Sequence, residues 1–541
     1  MNDREDKHSE HEHFFGAARV VAGLTMLSRV LGMVRDMAIW AFGATRATDA
    51  FWTAFSIPNL FRRLFGEGAL SAAFVPVFTE VAEAEGWEKA RLTLANLVGL
   101  LAIILAGVVV LCEAGMLVWL VLFRPEWDWA LLLKLTMIVL PFMFTICLLA
   151  LGSAALNCKG HFAYPAFAPI LLNVFLIAAA FIAHLLPTDG DWRGLFILSV
   201  SVVAAGIVQL VGVVWLLRSV GLVATPRLRP VLPSVRRIAR LALPMMIPLG
   251  VLQFSAFFDR FYAWLMSSPE GVSSSFDLFG LTITKPLDDG VVTCLYAANR
   301  LYQFPLGILA ISLATVVFPL FSRYAARNDA PGLRKATNQA LRMSLFMGIP
   351  AGLALIILAE PVIILICGRG KFMDNVLAVR QTTTILRMYC LGMWAYFCNH
   401  ILLRAFFAQK DARTPLRIAC ILVPLNMVLV IGGIFTPLKS GAIGAATAAT
   451  STLNAVVLVW VLHRRLGGID GWRLLISALR TAVACAVMVA VMWAILYFAA
   501  PAEAWKIILF CVPAGAAAFL VSAAALRCPE LPELLKRNST E

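Results

Sequence analysis

The sequence predicts an all-α polytopic membrane protein. About fourteen transmembrane helices form two pseudo-symmetric six-helix lobes around a central basic cavity, followed by two extra C-terminal helices. Three observations lead there. Of 541 residues, 61% are hydrophobic and only 14% charged, and mean hydropathy is +0.85. Apolar runs of about 20 residues, long enough to cross a hydrocarbon core, recur along nearly the whole chain. Four arginines, Arg29, Arg35, Arg62 and Arg300, stand inside those runs.

The arginines give the cavity its character. One arginine at the centre of a bilayer helix costs about 2.5–3.5 kcal/mol on insertion scales. Such residues are tolerable where they face a hydrated interior, pair with carboxylates or meet an anionic ligand. A cavity lined by them points to an anionic substrate.

In chain order, the spans are expected near 15–43, 47–81, 91–123, 130–157, 164–187, 193–217, 237–266, 290–322, 332–358, 376–409, 414–436, 440–463, 472–498 and 504–526. The second and eighth are long and interrupted by Pro58, Pro76, Pro305 and Pro319. Proline removes a helix donor, so these breaks suit helices that bend around a cavity.

Loop charges set the orientation. With the N-terminus in the cytoplasm, the loop after the sixth span holds Arg218, Arg227, Arg229, Arg236, Arg237 and Arg240. Later cytoplasmic loops hold Arg323, Arg327, Arg334 and Lys335, then Lys410, Arg413 and Arg417, then Arg464, Arg465 and Arg473. The opposite loops are poor in cations, and the longest, roughly 267–289, is acidic. This is the positive-inside pattern, and it places both termini in the cytoplasm. Loop placement also accounts for much of the net charge of +14, which in a soluble protein would suggest nucleic acid. The eleven cysteines lie mostly in apolar runs and read as small core hydrophobes. Residues 1–14 read as a disordered, solvated tail, its His8, His11 and His13 included.

An internal repeat divides the chain. Ala73-Phe74-Val75-Pro76-Val77-Phe78 ends the second span, and Val317-Phe318-Pro319-Leu320-Phe321 ends the eighth about 243 positions later. Lys159, Pro165 and Asn173 are echoed by Lys410, Pro415 and Asn426. The expected organisation is a tail 1–14, an N-lobe 15–221, a C-lobe 222–468, two further spans in 469–527 and a cytoplasmic tail 528–541. An even number of spans per copy makes the repeats parallel. Two such bundles with a substrate cleft between them suit alternating access.

The candidate site residues follow from these segments. Arg29 and Arg35 are six residues apart, so on a straight helix they project about 120° apart. Both could line one cavity if the helix bends at Gly32 or the cavity is wide; the alternative for Arg35 is neutralisation by Asp36, with Asp49 close in the next span. Arg63 can pair with Glu67 at i, i+4, whereas Arg62 has no such neighbour. Arg300 comes from the second bundle. Arginines from both lobes would match a diphosphate through bidentate, charge-assisted hydrogen bonds. Asp259 is either interfacial beside Arg260 or a cation ligand together with Asn426 and Thr450. No sequence constellation for enzyme chemistry is found: Gly368-Arg369-Gly370-Lys371 lacks P-loop spacing, and no HExxH or GxSxG occurs.

Several segments resemble the MurJ (MviN) family of lipid II flippases, within the multidrug/oligosaccharidyl-lipid/polysaccharide exporter superfamily. They are SRVLGMVRD (28–36), ATDAF (47–51), PNLFRRLFGEGALSAAFVPVF (58–78), PAFAPILLN (165–173), NRLYQFPLG (299–307) and GKF (370–372). The resemblance implies fourteen helices in two lobes, and a transporter rather than an enzyme. It implies that lipid II is moved from the inner to the outer leaflet of the bacterial plasma membrane. It assigns substrate roles to Arg29, Arg35, Arg62, Arg300 and Asp49. No cofactor is expected; Na⁺ or H⁺ coupling and the membrane potential are the expected energy sources. The expected partners are lipid II, membrane lipids and cell-wall synthesis proteins, with no nucleic acid. Asn299 and Gln303 depart from the family pattern, which is often acidic there. Rival readings are a flippase for another prenyl-diphosphate glycan, a cation-coupled exporter of the same superfamily, and a membrane glycosyltransferase or phosphatase.

Overall fold

The structure, a computed structural model, describes residues 2–66, 69–186, 192–223, 225–268, 275–278, 281–499 and 503–535. It divides into two compact units, Met1–Trp264 and Leu265–Glu541. Helix predominates because a chain this apolar satisfies its backbone polar groups internally. Among the described residues, eleven helices are long and apolar enough to cross a membrane.

The first unit contains α1 (Asn2–Trp40), α2 (Arg46–Phe61), a π-helical turn Arg62–Gly66, α3 (Ala69–Glu85), α4 (Trp87–Phe123), α5 (Trp127–Val139), α6 (Phe142–Cys158), α7 (Ala163–Leu185), α8 (Trp192–Ser219) and α9 (Pro233–Leu265). Thr45 caps α2 in a reciprocal box with Thr48, which satisfies donors that a helix start leaves open. The π turn follows Pro58, whereas Pro76 sits inside α3 without interrupting it. Leu140 and Pro141 separate α5 from α6. Large side chains such as Phe51, Trp52, Phe74, Phe78 and Phe142 are fully buried.

Two sequence expectations change here. The polar stretch 1–14, expected to be a disordered tail, is helical from Asn2 as part of α1. It contains no proline or glycine, and Asp3, Glu5 and Asp6 complement the positive end of a helix. The side chains of His8, His11 and His13 lie outside the description, as does Glu67, the expected partner of Arg63. The seventh predicted span, expected to open the second lobe, is α9 and falls in the first unit. Its contacts carry it there: Ser234 bonds Thr93 at 3.0 Å, and Arg237 pairs with Glu80 at 2.8 Å.

The second unit opens with a short β region in the acidic loop. β1 (Ser267–Ser268) pairs in parallel with β4 (Leu287–Asp288), and β2 (Ser275–Leu278) forms a hairpin with β3 (Leu281–Thr284). Then come α10 (Val291–Pro305), a π turn Leu306–Ala310, α11 (Ile311–Ala326), α12 (Ala330–Ile357), α13 (Ala359–Cys367), α14 (Lys371–Asp374), α15 (Val376–Leu391), α16 (Met393–Ala408), α17 (Arg413–Gly433) and α18 (Gly441–Arg465). After these, α19 (Gly471–Ala494), a π turn Ile495–Ala499, α20 (Ala504–Ala525) and α21 (Glu530–Leu535) complete the chain. One core gathers Phe321, Leu402, Phe406 and Leu458, and another gathers Phe346, Met488 and Phe519.

The repeat extends to packing. In the first unit α2 packs on α5, α3 on α4 and α6, and α8 on α5, α6 and α7. In the second, α10 packs on α15, α11 on α12 and α16, and α18 on α15, α16 and α17. The helix interruptions repeat as well. A π turn follows Pro305 as one follows Pro58, and Gly392 separates α15 from α16 where Leu140 and Pro141 separate α5 from α6.

Candidate functional site

The sequence-predicted residues occupy distinct environments. Arg35 is buried on α1. Its Nε and Nη2 donate to Asp36 Oδ1 at 2.9 and 2.6 Å, and its Nη1 donates to Asn173 Oδ1 at 3.0 Å. Asn173 in turn donates to the carbonyl of Ser28 at 3.0 Å. Asp36 is completely buried. This network ties α1 to α7, so the local neutralisation open to Arg35 is realised and extended by an amide from a distant helix. Arg29, by contrast, is exposed. Helix α1 runs unbroken through Gly32, so the six-residue spacing puts the two arginines in opposite surroundings.

Arg62 opens the π turn and is half-buried. Its Nε donates to Asn59 Oδ1 at 3.3 Å, while Asn59 Nδ2 donates to the Phe55 carbonyl at 2.9 Å. The π turn packs on α6. A π turn holds one residue more than an α turn and re-aims the side chains that follow it, and such turns are frequent at functional sites. Arg63 points elsewhere: it is exposed, and Nη1 donates to Gln253 Oε1 of α9 at 3.0 Å. Asp49 is fully buried in the first turn of α2, where a carboxylate is favoured by the helix N-terminus.

In the second unit Arg300 is half-buried on α10. Tyr302 stacks on Tyr389 with ring centroids 4.7 Å apart and lies 5.3 Å from Tyr396. Gln303 Nε2 donates to Asn299 Oδ1, so these two neutral residues engage each other. Asn426 and Thr450 meet: the Thr450 hydroxyl donates to Asn426 Oδ1 at 3.3 Å, and both residues are buried. Asp259 is half-buried on α9 in the first unit.

The comparisons with known proteins now bear on this arrangement. The family described as Lipid II flippase MurJ matches residues 39–512. The chain belongs to this family. A relative from Vibrio cholerae, described as "Probable lipid II flippase MurJ", is 32% identical over 82% of each chain. One from Burkholderia cenocepacia, described as "Lipid II flippase MurJ", is 30% identical over 84% of each. A solved structure of lipid II flippase MurJ in an inward closed conformation superposes with a TM-score of 0.75 at 22% identity, covering 95% of this chain and 99% of that one. An inward-facing multidrug resistance MATE transporter of the MOP superfamily gives 0.63 at 14% identity, covering 83% and 98%. At these identities the two structures establish the fold. The chain is a multi-pass membrane transporter of the MurJ family, not an enzyme.

Sequence reasoning missed one buried cation of the first unit. Arg46, the first residue of α2, is only 6% exposed and pairs with Asp128 at 3.0 Å. It stands in the short gap between the first two predicted spans, where a charge normally reads as a solvated helix end. The carboxylate Asp128, just ahead of another apolar run, was the available signal.

Proposed function

We propose that the chain carries lipid II, an undecaprenyl-diphosphate-linked disaccharide-pentapeptide, from the inner to the outer leaflet of the bacterial inner membrane by alternating access. The observation that carries this reading is family membership over residues 39–512, joined to arginines inside apolar helices. Arg29, Arg62 and Arg300 are the proposed diphosphate ligands, because guanidinium forks match phosphate oxygens and none of the three is fully buried. Asp49 is the proposed acidic member of the site. Arg35 is proposed to shape α1 rather than grip substrate.

Fourteen spans remain the proposed count. The eleven apolar helices are supplemented by α1, by α9 and by α15–α16, the repeat counterpart of the single span α5–α6. The loop charges support cytoplasmic termini. A coupling cation, Na⁺ or H⁺, is proposed for the return step, with Asp259, Asn426 and Thr450 as candidate ligands. Cell-wall synthesis proteins are the proposed protein partners.

Complementation tests the reading in a bacterium depleted of its own lipid II flippase. Wild type, Arg62→Ala and Arg300→Ala are compared at matched membrane levels. Rescue by wild type and by neither variant is expected. Rescue by all three would keep the substrate and remove the arginine mechanism. Failure of well-expressed wild type would favour another prenyl-diphosphate glycan.

A further inference from the structure

Among the described residues, the Arg46 guanidinium touches a carboxylate, a main-chain carbonyl and an aromatic ring. Nε lies 3.0 Å from Asp128 Oδ2 at the start of α5. Nη1 donates to the main-chain carbonyl of Trp264, near the end of α9, at 2.5 Å. The guanidinium carbon stands 4.2 Å from the centroid of the Trp264 ring. That ring is itself held edge-on by Trp129, the neighbour of Asp128, at 4.6 Å. Trp264 is completely buried. Carbonyls in the last turn of a helix have no partner within it, and that end carries the negative pole, so a cation there acts as a cap.

The second unit indicates what the arginine adds. At the corresponding corner, where β4 leads into α10, α15 is joined through Gln381 Nε2 donating to Asp288 Oδ2 of β4 at 3.2 Å and through Cys294 Sγ of α10 donating to the Ala378 carbonyl at 3.5 Å. In the first unit the fastening spans three helices, and the third is α9, the last helix before the second unit begins.

We infer that Arg46 is a positioning residue for translocation: with Asp128 it forms a latch that holds the C-terminal end of α9 against α2 and α5, and the transport cycle must open that latch. This inference rests on the alternating-access reading above. The contacts are suited to reversible opening. The bond to Trp264 accepts on a neutral carbonyl, and the stacking on its ring is short-ranged, so α9 can leave while Arg46 keeps its ion pair with Asp128.

The test uses the full-length protein in right-side-out vesicles, with Leu265→Cys added at the end of α9. A membrane-impermeant maleimide labels it, and mass spectrometry of that peptide separates it from the native cysteines. Lipid II translocation and the thermal unfolding midpoint are measured on the same preparations. Arg46→Gln is expected to raise the labelling rate at position 265 at least fivefold and to slow translocation severalfold. Arg46→Lys, which keeps the charge and the Asp128 pair, should lie between Arg46→Gln and the parent in both. Its midpoint should match the parent's, so it serves as the folded variant if Arg46→Gln proves unstable. Labelling within twofold of the parent in both variants would overturn the latch, as would faster labelling with unchanged translocation. A parent that labels as expected, responds to Arg46→Gln and yet moves no lipid II would instead overturn the substrate reading.

Discussion

Arg35 and Arg62 show how alike two arginines look in a sequence and how differently they are placed. The Arg35 side chain is 10% exposed and that of its partner Asp36 not at all. Removing one member of a buried ion pair leaves the other charge uncompensated, at a cost of about 3–5 kcal/mol. Arg35→Ala is therefore expected to lower the unfolding midpoint of the purified protein sharply. Arg35→Ala with Asp36→Ala should recover much of the loss, since no orphan charge remains. Arg62→Ala should leave the midpoint near wild type while transport falls. A folded, fully stable Arg35→Ala protein that transports nothing would return Arg35 to the substrate site. The sequence displayed Asp36 beside Arg35, and so the neutralising alternative was legible. It did not display Asn173, 138 positions away, whose amide oxygen accepts from the guanidinium. Arg46 was missed for the same reason, because its partners Asp128 and Trp264 are 82 and 218 positions away.

At the scale of helices, long apolar runs were the legible part, because bilayer thickness alone sets their length. Their interruptions were half legible. Pro58 and Pro305 are followed by π turns, yet Pro76 and Pro319 lie within continuous helix, since neighbouring turns can absorb a missing donor. Close helix approach was not legible at all, because glycine reads the same in a packed seam and on a lipid-facing surface. The structure separates the two. A Cβ on Gly444 of α18 would stand 2.7 Å from the Ile385 carbonyl oxygen and 3.0 Å from the Tyr389 nitrogen, both backbone atoms of α15 that cannot swing aside. A Cβ on Gly107 of α4 would meet nothing within 4 Å. Overpacking typically costs about 1–3 kcal/mol, whereas glycine to alanine in an open helix gains up to about 1 kcal/mol. Gly444→Ala is expected to lower the unfolding midpoint and Gly107→Ala to hold or raise it. Equal behaviour of the two would mean that α15 and α18 do not approach as closely as described.

The whole molecule faces an energetic question that no single contact answers: what drives an anionic lipid outward and returns the empty carrier. An inside-negative potential of 100 mV contributes about 2.3 kcal/mol per elementary charge that crosses the full field. A diphosphate with about two charges would gain roughly 4–5 kcal/mol on the outward step, about three decades in equilibrium at about 1.4 kcal/mol each. The same field opposes outward movement of the arginines proposed to hold the substrate, and an empty cationic site resets at a different cost from a loaded one. A cation returning with the empty site would add its own inward-favoured charge to that of the arginines. The prediction is a voltage-dependent rate: in proteoliposomes with the cytoplasmic face inward, an imposed inside-negative potential of about 100 mV should speed appearance of lipid II in the outer leaflet several-fold over zero potential. Exchanging Na⁺ for choline at fixed pH, and then changing pH at fixed Na⁺, would show which cation matters. If Asp259 takes part, Asp259→Ala should abolish that cation dependence while leaving a voltage response of the substrate step. A rate indifferent to potential would remove the field from the cycle. An unchanged cation dependence in Asp259→Ala would move coupling to the buried Asn426–Thr450 pair or to another group altogether.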